Sequence, residues 1–254
     1  MLLGQENIVA LGDTQSDRYW QHLNGVVPTF NREYFNDAWL QETNAVVGLA
    51  NAGRGNTQFL SLSEQELVLR HYKRGGYVSK VSEDRYLWTG LEATRPFHEL
   101  SILAHLNSLR LPVPKPYAAE VIRSGASYTG SLLTYRLPGS TLAEAFVNDV
   151  MTPDLWHQVG VTIALFHKHG VCHADLNAHN VLILTEQDAV GESIVSLIDF
   201  DRASIKDAEQ NEWQHKTVIR LQRSLLKIAD KNKSGLLEIA WQTLLDGVHG
   251  KSRV

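Results

Sequence analysis

The sequence contains the stretch Val171-Cys172-His173-Ala174-Asp175-Leu176-Asn177-Ala178-His179-Asn180-Val181-Leu182, from which the rest of the chain can be interpreted. Its pattern is His-x-Asp-x-x-x-x-Asn, and an apolar run follows it as far as Leu184. A second apolar run, from Ile194 to Ile198, leads directly into Asp199. Two short runs rich in β-branched residues on either side of a glycine-containing turn are typical of a β-hairpin. We therefore predict a hairpin that brings Asn180 and Asp199 to neighbouring strand ends.

Three polar side chains of this pattern suit the transfer of a phosphoryl group. That reaction needs positioning and charge stabilisation from the protein more than covalent chemistry. Asp175 is the predicted group that orients the attacking hydroxyl and accepts its proton. Asn180 and Asp199 are the predicted ligands of Mg²⁺, which would neutralise the phosphate oxygens of ATP. The alternative is an exposed polar loop before a hairpin, which the spacing and the flanking His173 disfavour.

Length, composition and charge restrict the class of protein. The chain has 254 residues, of which 43% are hydrophobic and 20% charged, enough for one large domain or two small lobes around a cleft. A formal net charge of −4 gives no reason to expect nucleic acid as a partner. Cys172 is the single cysteine, so no disulfide can form within the chain, which fits a reducing compartment. Without a signal peptide or a membrane-spanning run, we expect a soluble protein that lies at most on a membrane surface.

The order of predicted elements indicates an α+β protein in two parts. Residues 1–136 would form an N-terminal extension and a β-rich nucleotide-binding lobe, an antiparallel sheet with one helix over 93–109. Residues 137–254 would form a mainly helical catalytic lobe. Its helices are predicted over 141–148, 153–169, 211–228 and 235–247. In residues 1–45 an aromatic cluster is expected to pack on the body of the protein, and it comprises Tyr34, Phe35 and Trp39.

Two glycines are candidates for binding the phosphates of a nucleotide. Gly53 and Gly55 stand between two predicted strands, where backbone amides can approach phosphate because glycine has no Cβ. A Walker loop is excluded, because Arg54 and Gly55 replace the lysine and the hydroxyl residue that it requires. A plain hairpin turn remains the alternative.

A kinase also needs a cation on the third strand, paired with a carboxylate on the following helix. Arg70 has the strand position and Glu99 lies on the predicted helix. Lys80 is the alternative phosphate contact, and the residues do not decide between it and Arg70. A simple surface salt bridge is the other interpretation of either cation.

Two basic segments could receive an anionic partner. Lys73 and Arg74 precede Gly75-Gly76 in a turn that could bind an anionic substrate or be a solvated loop. The predicted helix 211–228 is amphipathic and has four cations on one face: Lys216, Arg220, Arg223 and Lys227. This cationic strip could contact acidic lipid head groups, or it could be the solvated side of a core helix.

Several segments together carry a resemblance to a known family. They are Gly53-Arg54-Gly55, Leu69-Arg70-His71-Tyr72-Lys73-Arg74-Gly75-Gly76, Thr94-Arg95-Pro96-Phe97-His98-Glu99, Leu111-Pro112-Val113-Pro114-Lys115-Pro116 and His173-Ala174-Asp175-Leu176-Asn177-Ala178-His179-Asn180. From about residue 30 to the C-terminus the sequence resembles the 3-deoxy-D-manno-octulosonic acid (Kdo) kinase family of bacterial lipopolysaccharide synthesis.

This resemblance implies a two-lobed, protein-kinase-like fold and an ATP-dependent phosphotransferase. The implied reaction transfers the γ-phosphate to the 4-hydroxyl of the Kdo sugar on Kdo-lipid IVA. The implied location is the cytoplasmic face of the bacterial inner membrane, where the protein would be peripheral on an anionic surface. Ala174, Asn177 and Asp201 stand where protein kinases have arginine, lysine and glycine. These departures argue against a protein kinase gated by phosphorylation.

Two other functions share parts of the pattern. A cytosolic small-molecule kinase of the aminoglycoside or choline phosphotransferase kind has the same His-x-Asp-x-x-x-x-Asn spacing. Its acceptors are cationic and require an acidic pocket, whereas the basic segments here favour an anionic acceptor. A kinase-like binding module without activity is the alternative from a different class. The presence of Asp175, Asn180 and Asp199 together argues against it.

Overall fold

The computed structural model describes residues 8–24, 30–50, 57–62, 64–72, 85–185, 194–229 and 234–251. The chain divides into two compact units. Unit 1 comprises Met1–Ser108 and Pro114–Arg136. Unit 2 comprises Leu109–Val113 and Leu137–Val254. Within the described residues, no helix is both long enough and apolar enough to cross a lipid bilayer.

Unit 1 is built around an antiparallel sheet. Its strands are β1 (Ile8–Asp13), β2 (Arg18–Leu23), β3 (Val46–Leu49), β4 (Thr57–Leu62), β5 (Gln65–His71), β6 (Tyr86–Leu87), β7 (Pro116–Ser124) and β8 (Ser127–Tyr135). In the described part of the chain they follow the order β1-β2-β7-β8-β5-β4-β3, with β6 paired to β8. All of these pairings are antiparallel. The predicted sheet is therefore confirmed, and so is the predicted helix, α2 (Arg95–Ser108).

The N-terminal segment contributes the strands β1 and β2 to this sheet, whereas the sequence predicted only an extension there. Strand β2 is joined to β7 by the buried side chain of Glu120 as well as by the backbone ladder. Its carboxylate accepts hydrogen bonds from Arg18 Nη2 at 2.7 Å and from Trp20 Nε1 at 2.9 Å. A buried carboxylate needs such partners, because leaving it unpaired is costly. Burial nevertheless raises the pKa of Glu120.

Successive residues of a strand point to opposite faces, and unit 1 covers both faces of its sheet. Leu67 and Leu69 of β5 lie in a hydrophobic core with the 3-10 helix Arg32–Phe35 and with α1 (Asp37–Glu42). The predicted packing of the aromatic cluster is confirmed there, since Tyr34 and Phe35 are buried in this core and Trp39 packs against it. The alternate residue Arg70 points to the other face, where it contacts α2.

Unit 2 is mainly helical. Its helices are α3 (Leu142–Val147), α4 (Pro153–Lys168), α5 (Asn211–Ile228) and α6 (Ser234–Val248), which confirms the predicted spans to within two residues at each end. Its short strands are β9 (Gly139–Thr141), β10 (Val171–Cys172), β11 (Val181–Leu184), β12 (Val195–Leu197) and β13 (Ser204–Ile205). In the described residues β11 pairs with β9 and β12, and β10 pairs with β13.

Helices α4 and α6 approach each other closely through two glycines. A Cβ atom added to Gly160 would lie 2.0 Å from the carbonyl oxygen of Leu244. One added to Gly247 would lie 2.2 Å from the carbonyl oxygen of His157. Both obstacles are backbone atoms, so these positions require glycine.

Candidate active site

The loop between β10 and β11 is held by hydrogen bonds from its own side chains. The side-chain amides of Asn177 and Asn180 both donate to the carbonyl oxygen of Asp175, at 2.9 and 3.0 Å. The oxygen of the Asn177 side chain accepts from the backbone N–H of His179 at 2.9 Å. Two donors on one carbonyl fix the peptide that carries Asp175, and so set where its carboxylate projects.

The predicted hairpin after this loop is confirmed in its described strands. Residues of β11 and β12 pair antiparallel, with Val181 opposite Leu197. The backbone N–H of Ile198 donates to the carbonyl oxygen of Asn180 at 3.0 Å. Asp199 follows directly, so Asn180 and Asp199 stand at neighbouring strand ends. The predicted glycine of the turn, Gly191, lies outside the described residues.

His173 braces the junction between the loop and the second strand. Burial lowers the pKa of His173, which favours the neutral ring. Its Nε2 donates to the carbonyl oxygen of Ile198 at 2.9 Å, and its ring lies 4.8 Å from that of Phe200, centroid to centroid. This histidine therefore holds the loop against the second strand of the hairpin.

Asp199 has an unusual backbone conformation. Its φ angle is +67°, in the left-handed region that residues with a Cβ rarely adopt. The residues on both sides hold it there, because Ile198 is bonded to Asn180 and His173 while Phe200 is completely buried. Strain of this kind concentrates at functional sites, where the surrounding structure can enforce it.

The donor groups at the strand ends fit magnesium. Asn180 is only 8% exposed, and its amide nitrogen is used by Asp175, which leaves its oxygen for another partner. Carboxylate and amide oxygens are the ligands that Mg²⁺ prefers, and one or two suffice when phosphates and waters complete the shell. No group of three or more His, Cys, Asp or Glu side chains in the described residues could hold a metal by itself. The assignment of Asn180 and Asp199 as ligands stays a prediction.

The carboxylate of Asp175 has a partner that the sequence did not suggest. Arg220 of α5 donates to Asp175 Oδ1 from Nε at 3.0 Å, and its Nη2 lies 2.9 Å from the same oxygen. The sequence placed Arg220 in a cationic strip that could contact lipid head groups or be the solvated side of a core helix. The contact with Asp175 was missed because helical periodicity shows which face of a helix a residue occupies. It does not show that this face contacts a residue 45 positions earlier in the chain.

A second contact ties the same loop to α5. The backbone N–H of Ala178 donates to Ser224 Oγ at 3.1 Å. Ser224 lies one turn beyond Arg220, so both residues face the loop from the same side of the helix. The sequence does show Arg220 and Ser224 four positions apart on the predicted helix. That spacing is too common to identify their contacts with the loop.

The remaining strip residues differ in their surroundings. Lys216 pairs with Glu212 at 2.5 Å within the helix, and that contact lowers the pKa of Glu212. Arg223 and Lys227 are exposed. Lys216 and Arg220 are therefore each paired with a carboxylate, and the other two cations of the strip lie in the C-terminal half of α5.

Unit 1 contains the predicted ion pair between the third strand and the following helix. Arg70 of β5 is paired with Glu99 of α2, whose side chain is 2% exposed. Tyr72, which the sequence analysis missed, donates its hydroxyl to Glu99 and accepts from Arg70 Nη2 at 3.0 Å. Tyr72 directly follows the end of β5, and its spacing of two residues from Arg70 was the signal that could have found it. The role of this cluster toward a nucleotide stays a prediction.

Five predicted site residues lie outside the described residues: Gly53, Gly55, Lys73, Arg74 and Lys80. Their proposed contacts stay predictions, and so does the choice between Arg70 and Lys80 as the phosphate-binding cation.

Comparison with known proteins places this geometry in context. A model of the "Lipopolysaccharide kinase (Kdo/WaaP) family" matches residues 37–247. A 3-deoxy-D-manno-octulosonic acid kinase of Photobacterium profundum is 35% identical over 214 residues, covering 84% of this chain and 87% of the relative. Another of Mannheimia succiniciproducens is 36% identical over 223 residues, covering 85% and 90%.

A solved structure shares the fold. The structure titled "WaaP in complex with acyl carrier protein" aligns with a TM-score of 0.50 at 15% identity, covering 87% of this chain and 86% of that one. The α+β, protein-kinase-like fold expected from the sequence is thereby confirmed.

Proposed function

Because the chain belongs to the lipopolysaccharide kinase (Kdo/WaaP) family, we propose that it phosphorylates the 4-hydroxyl of the Kdo sugar on Kdo-lipid IVA, with ATP as the donor. The chain is a phosphotransferase, in keeping with its family and its named relatives. The observation that supports the finer proposal most is the name shared by those relatives, 3-deoxy-D-manno-octulosonic acid kinase, at 35% and 36% identity over most of both chains.

In the proposed reaction Asp175 takes the proton of the acceptor hydroxyl. The oxygen of that hydroxyl then forms a bond to the γ-phosphorus as the bond between phosphorus and the ADP oxygen breaks. The Oδ1 atom of Asp175 is occupied by Arg220, so Oδ2 is the oxygen proposed to receive the proton. The hydrogen bonds that the side-chain amides of Asn177 and Asn180 donate to the Asp175 carbonyl oxygen fix the backbone from which this carboxylate projects.

Asn180 and Asp199 are proposed to hold Mg²⁺ through the Asn180 side-chain oxygen and the Asp199 carboxylate. The bound ion would neutralise charge on the phosphate oxygens. What the chain itself contributes is the pair of strand ends, tied by the hydrogen bond from Ile198 to Asn180, and the enforced backbone of Asp199.

Residues 1–136 are proposed as the nucleotide-binding lobe and residues 137–254 as the catalytic lobe. Arg70 would contact phosphate, oriented by Glu99 as its buried counter-ion. Gly53 and Gly55 would approach the phosphates through their backbone amides, with Lys80 as the alternative cation.

The acceptor is anionic, and we propose Lys73 and Arg74 as its contacts. The exposed Arg223 and Lys227 of α5 are proposed to meet the anionic surface of the bacterial inner membrane, at its cytoplasmic face. No nucleic-acid partner is proposed.

The proposed function is tested by comparing acceptors with the purified protein, γ-labelled ATP and Mg²⁺. We expect label on Kdo-lipid IVA and none on a matched acceptor whose Kdo lacks the 4-hydroxyl. Amino-sugar acceptors and choline are included, because a cytosolic kinase of that kind would use them. Exclusive transfer to an amino acceptor would overturn the proposal, and label on the 4-deoxy acceptor would overturn the position of transfer.

A further inference from the structure

We infer that Arg220 is a positioning residue for phosphoryl transfer, which holds Asp175 by one oxygen and supplies the positive charge that Asn177 lacks. The inference rests on the proposed function for the role of Asp175 as the base and for the identity of the acceptor. Its basis is the contact between α5 and the loop that carries the proposed base.

The geometry of the contact leaves one carboxylate oxygen for the acceptor. Nε and Nη2 of Arg220 both approach Oδ1 of Asp175, at 3.0 and 2.9 Å. Within the described residues, Oδ2 of Asp175 has no hydrogen-bond partner. Two charged donors on one oxygen tie Oδ1 to α5 and leave Oδ2 for the acceptor. The arrangement selects which oxygen faces the reaction.

Asn177 cannot provide the charge that protein kinases place at its position. Both ends of its amide are used within the loop, by the Asp175 carbonyl oxygen at 2.9 Å and by the His179 N–H at 2.9 Å. It is therefore a neutral group that shapes the backbone. Arg220 instead places a positive charge beside the Asp175 carboxylate, from a helix distant in sequence.

Helix α5 is anchored well enough to give Arg220 a defined position. Leu221 is completely buried, and Thr217 Oγ1 is 2.9 Å from Nε2 of the buried His167. Ser224 accepts from the loop itself at 3.1 Å. These contacts lie on both sides of Arg220 along the helix, so the guanidinium starts from a fixed backbone.

The exposure of the pair indicates that its main purpose is not stability. The side chains of Arg220 and Asp175 are 52% and 39% exposed. Ion pairs in such surroundings contribute little to folding, because water screens them and both side chains lose freedom. Replacing Arg220 should therefore lower the turnover rate without a matching loss in the free energy of unfolding.

The test compares Arg220→Gln, which removes the charge, with Arg220→Lys, which keeps it without the planar fork. Lys168→Gln is the control, because it removes an exposed cation from the last turn of α4 in the same unit. Each variant is assayed for kcat and for KM of ATP and Kdo-lipid IVA, and separately for ATP hydrolysis with water as acceptor. We expect Arg220→Gln to lower kcat about 10- to 100-fold. KM for ATP should stay within about twofold, because the guanidinium acts on the base.

A second readout needs neither ATP nor acceptor. In the free protein, the Nε–H resonance of Arg220 is identified in NMR spectra by its absence from Arg220→Lys, and it should move in Asp175→Asn.

For the activity assay, kcat of Arg220→Lys should lie between those of Arg220→Gln and wild type, and kcat of Lys168→Gln should match wild type. The melting temperatures of all variants should agree within about 2 °C.

The outcomes separate this inference from the proposed function. If wild type ignores Kdo-lipid IVA but Arg220→Gln slows hydrolysis by water, the proposed function is wrong and the role of Arg220 stands. If Arg220→Gln keeps wild-type kcat with every acceptor, the inference is overturned. It is also overturned if the loss of kcat equals a loss of folded protein, or if the Arg220 resonance does not respond to Asp175→Asn.

Discussion

The side-chain amide of Asn180 donates a hydrogen bond of 3.0 Å to the carbonyl oxygen of Asp175, so the proposed metal ligand also fixes the proposed base. The backbone of Asn180 is in turn bonded to Ile198, the residue before Asp199. One asparagine therefore connects the loop and the hairpin. Substitutions of Asp175, Asn180 and Asp199 should each lower turnover, through the base, the connection between loop and hairpin, and the metal site respectively.

Replacing Asp175 tests the proposed base. Asp175→Ala should reduce kcat by at least about 100-fold, because it removes the carboxylate proposed to accept the proton of the hydroxyl. Binding of a fluorescent ATP analogue should change by less than about threefold, since the base does not hold the nucleotide. The matched control is Glu238→Ala, which removes an exposed carboxylate from α6. Undiminished turnover of Asp175→Ala would refute the assignment.

Replacing Asp199 tests the metal site. Asp199→Asn removes a negative charge from the proposed ligand set while keeping its size, so Mg²⁺ should bind at least about tenfold more weakly. The measurement is a titration of Mg²⁺ against the affinity for the nucleotide analogue. Glu238→Gln provides the control for loss of a carboxylate. An unchanged Mg²⁺ requirement would show that Asp199 is not a ligand.

The exposed end of the cationic strip gives a prediction for membrane binding. Arg223→Glu together with Lys227→Glu should weaken binding to anionic vesicles at least about tenfold, because each surface cation contributes about 1 kcal/mol there. Sedimentation with vesicles of anionic or neutral lipid measures this. The control reverses two exposed charges elsewhere in unit 2, at Lys168 and Lys206. Equal binding of both double variants would mean that this part of α5 is only the solvated face of a helix.

The close crossing of α4 and α6 gives a prediction for stability. Gly160→Ala places a Cβ 2.0 Å from the Leu244 carbonyl oxygen and 2.9 Å from the Val248 nitrogen, so the helices must separate. We expect the free energy of unfolding to fall by about 1 to 3 kcal/mol, despite the better helix propensity of alanine. Urea denaturation measures it, with the exposed Gln158→Ala as control on the same helix. Unchanged or increased stability would contradict the close approach.

His167 should make stability depend on pH. Burial lowers its pKa to about 4, from an ordinary value of 6.5. Because the folded-state pKa is the lower one, the unfolded chain binds the proton first as the pH falls below 6.5, and stability decreases until about pH 4. A pKa difference of this size corresponds to about 3 kcal/mol of stability.

This dependence is measured by urea denaturation of wild type and His167→Gln between about pH 4 and 7.5. The variant should lose less stability on acidification, although burial of His173 acts in the same direction and leaves part of the dependence. His215→Gln, on the exposed side of α5, should behave as wild type. Parallel curves for wild type and His167→Gln would exclude the assignment.

Local pattern was sufficient for much of the fold and of the proposed site. The periodicity of α5 predicted its bounds, and apolar runs on either side of a turn predicted the hairpin of Asn180 and Asp199. Such features depend on neighbours a few residues apart, because helix and strand geometry repeat over that distance. The pairing of Arg70 with Glu99 was also predicted, because a kinase needs a cation on the third strand paired with a carboxylate on the following helix.

Contacts between distant segments required the folded chain. Arg220 meets Asp175 across 45 residues and Trp20 meets Glu120 across 100, and neither partner carries a local signal for the other. The left-handed backbone of Asp199 likewise results from the bonds that its neighbours make to other segments. The physical reason is that residue spacing sets direction along an element, whereas the path of the whole chain sets which elements meet.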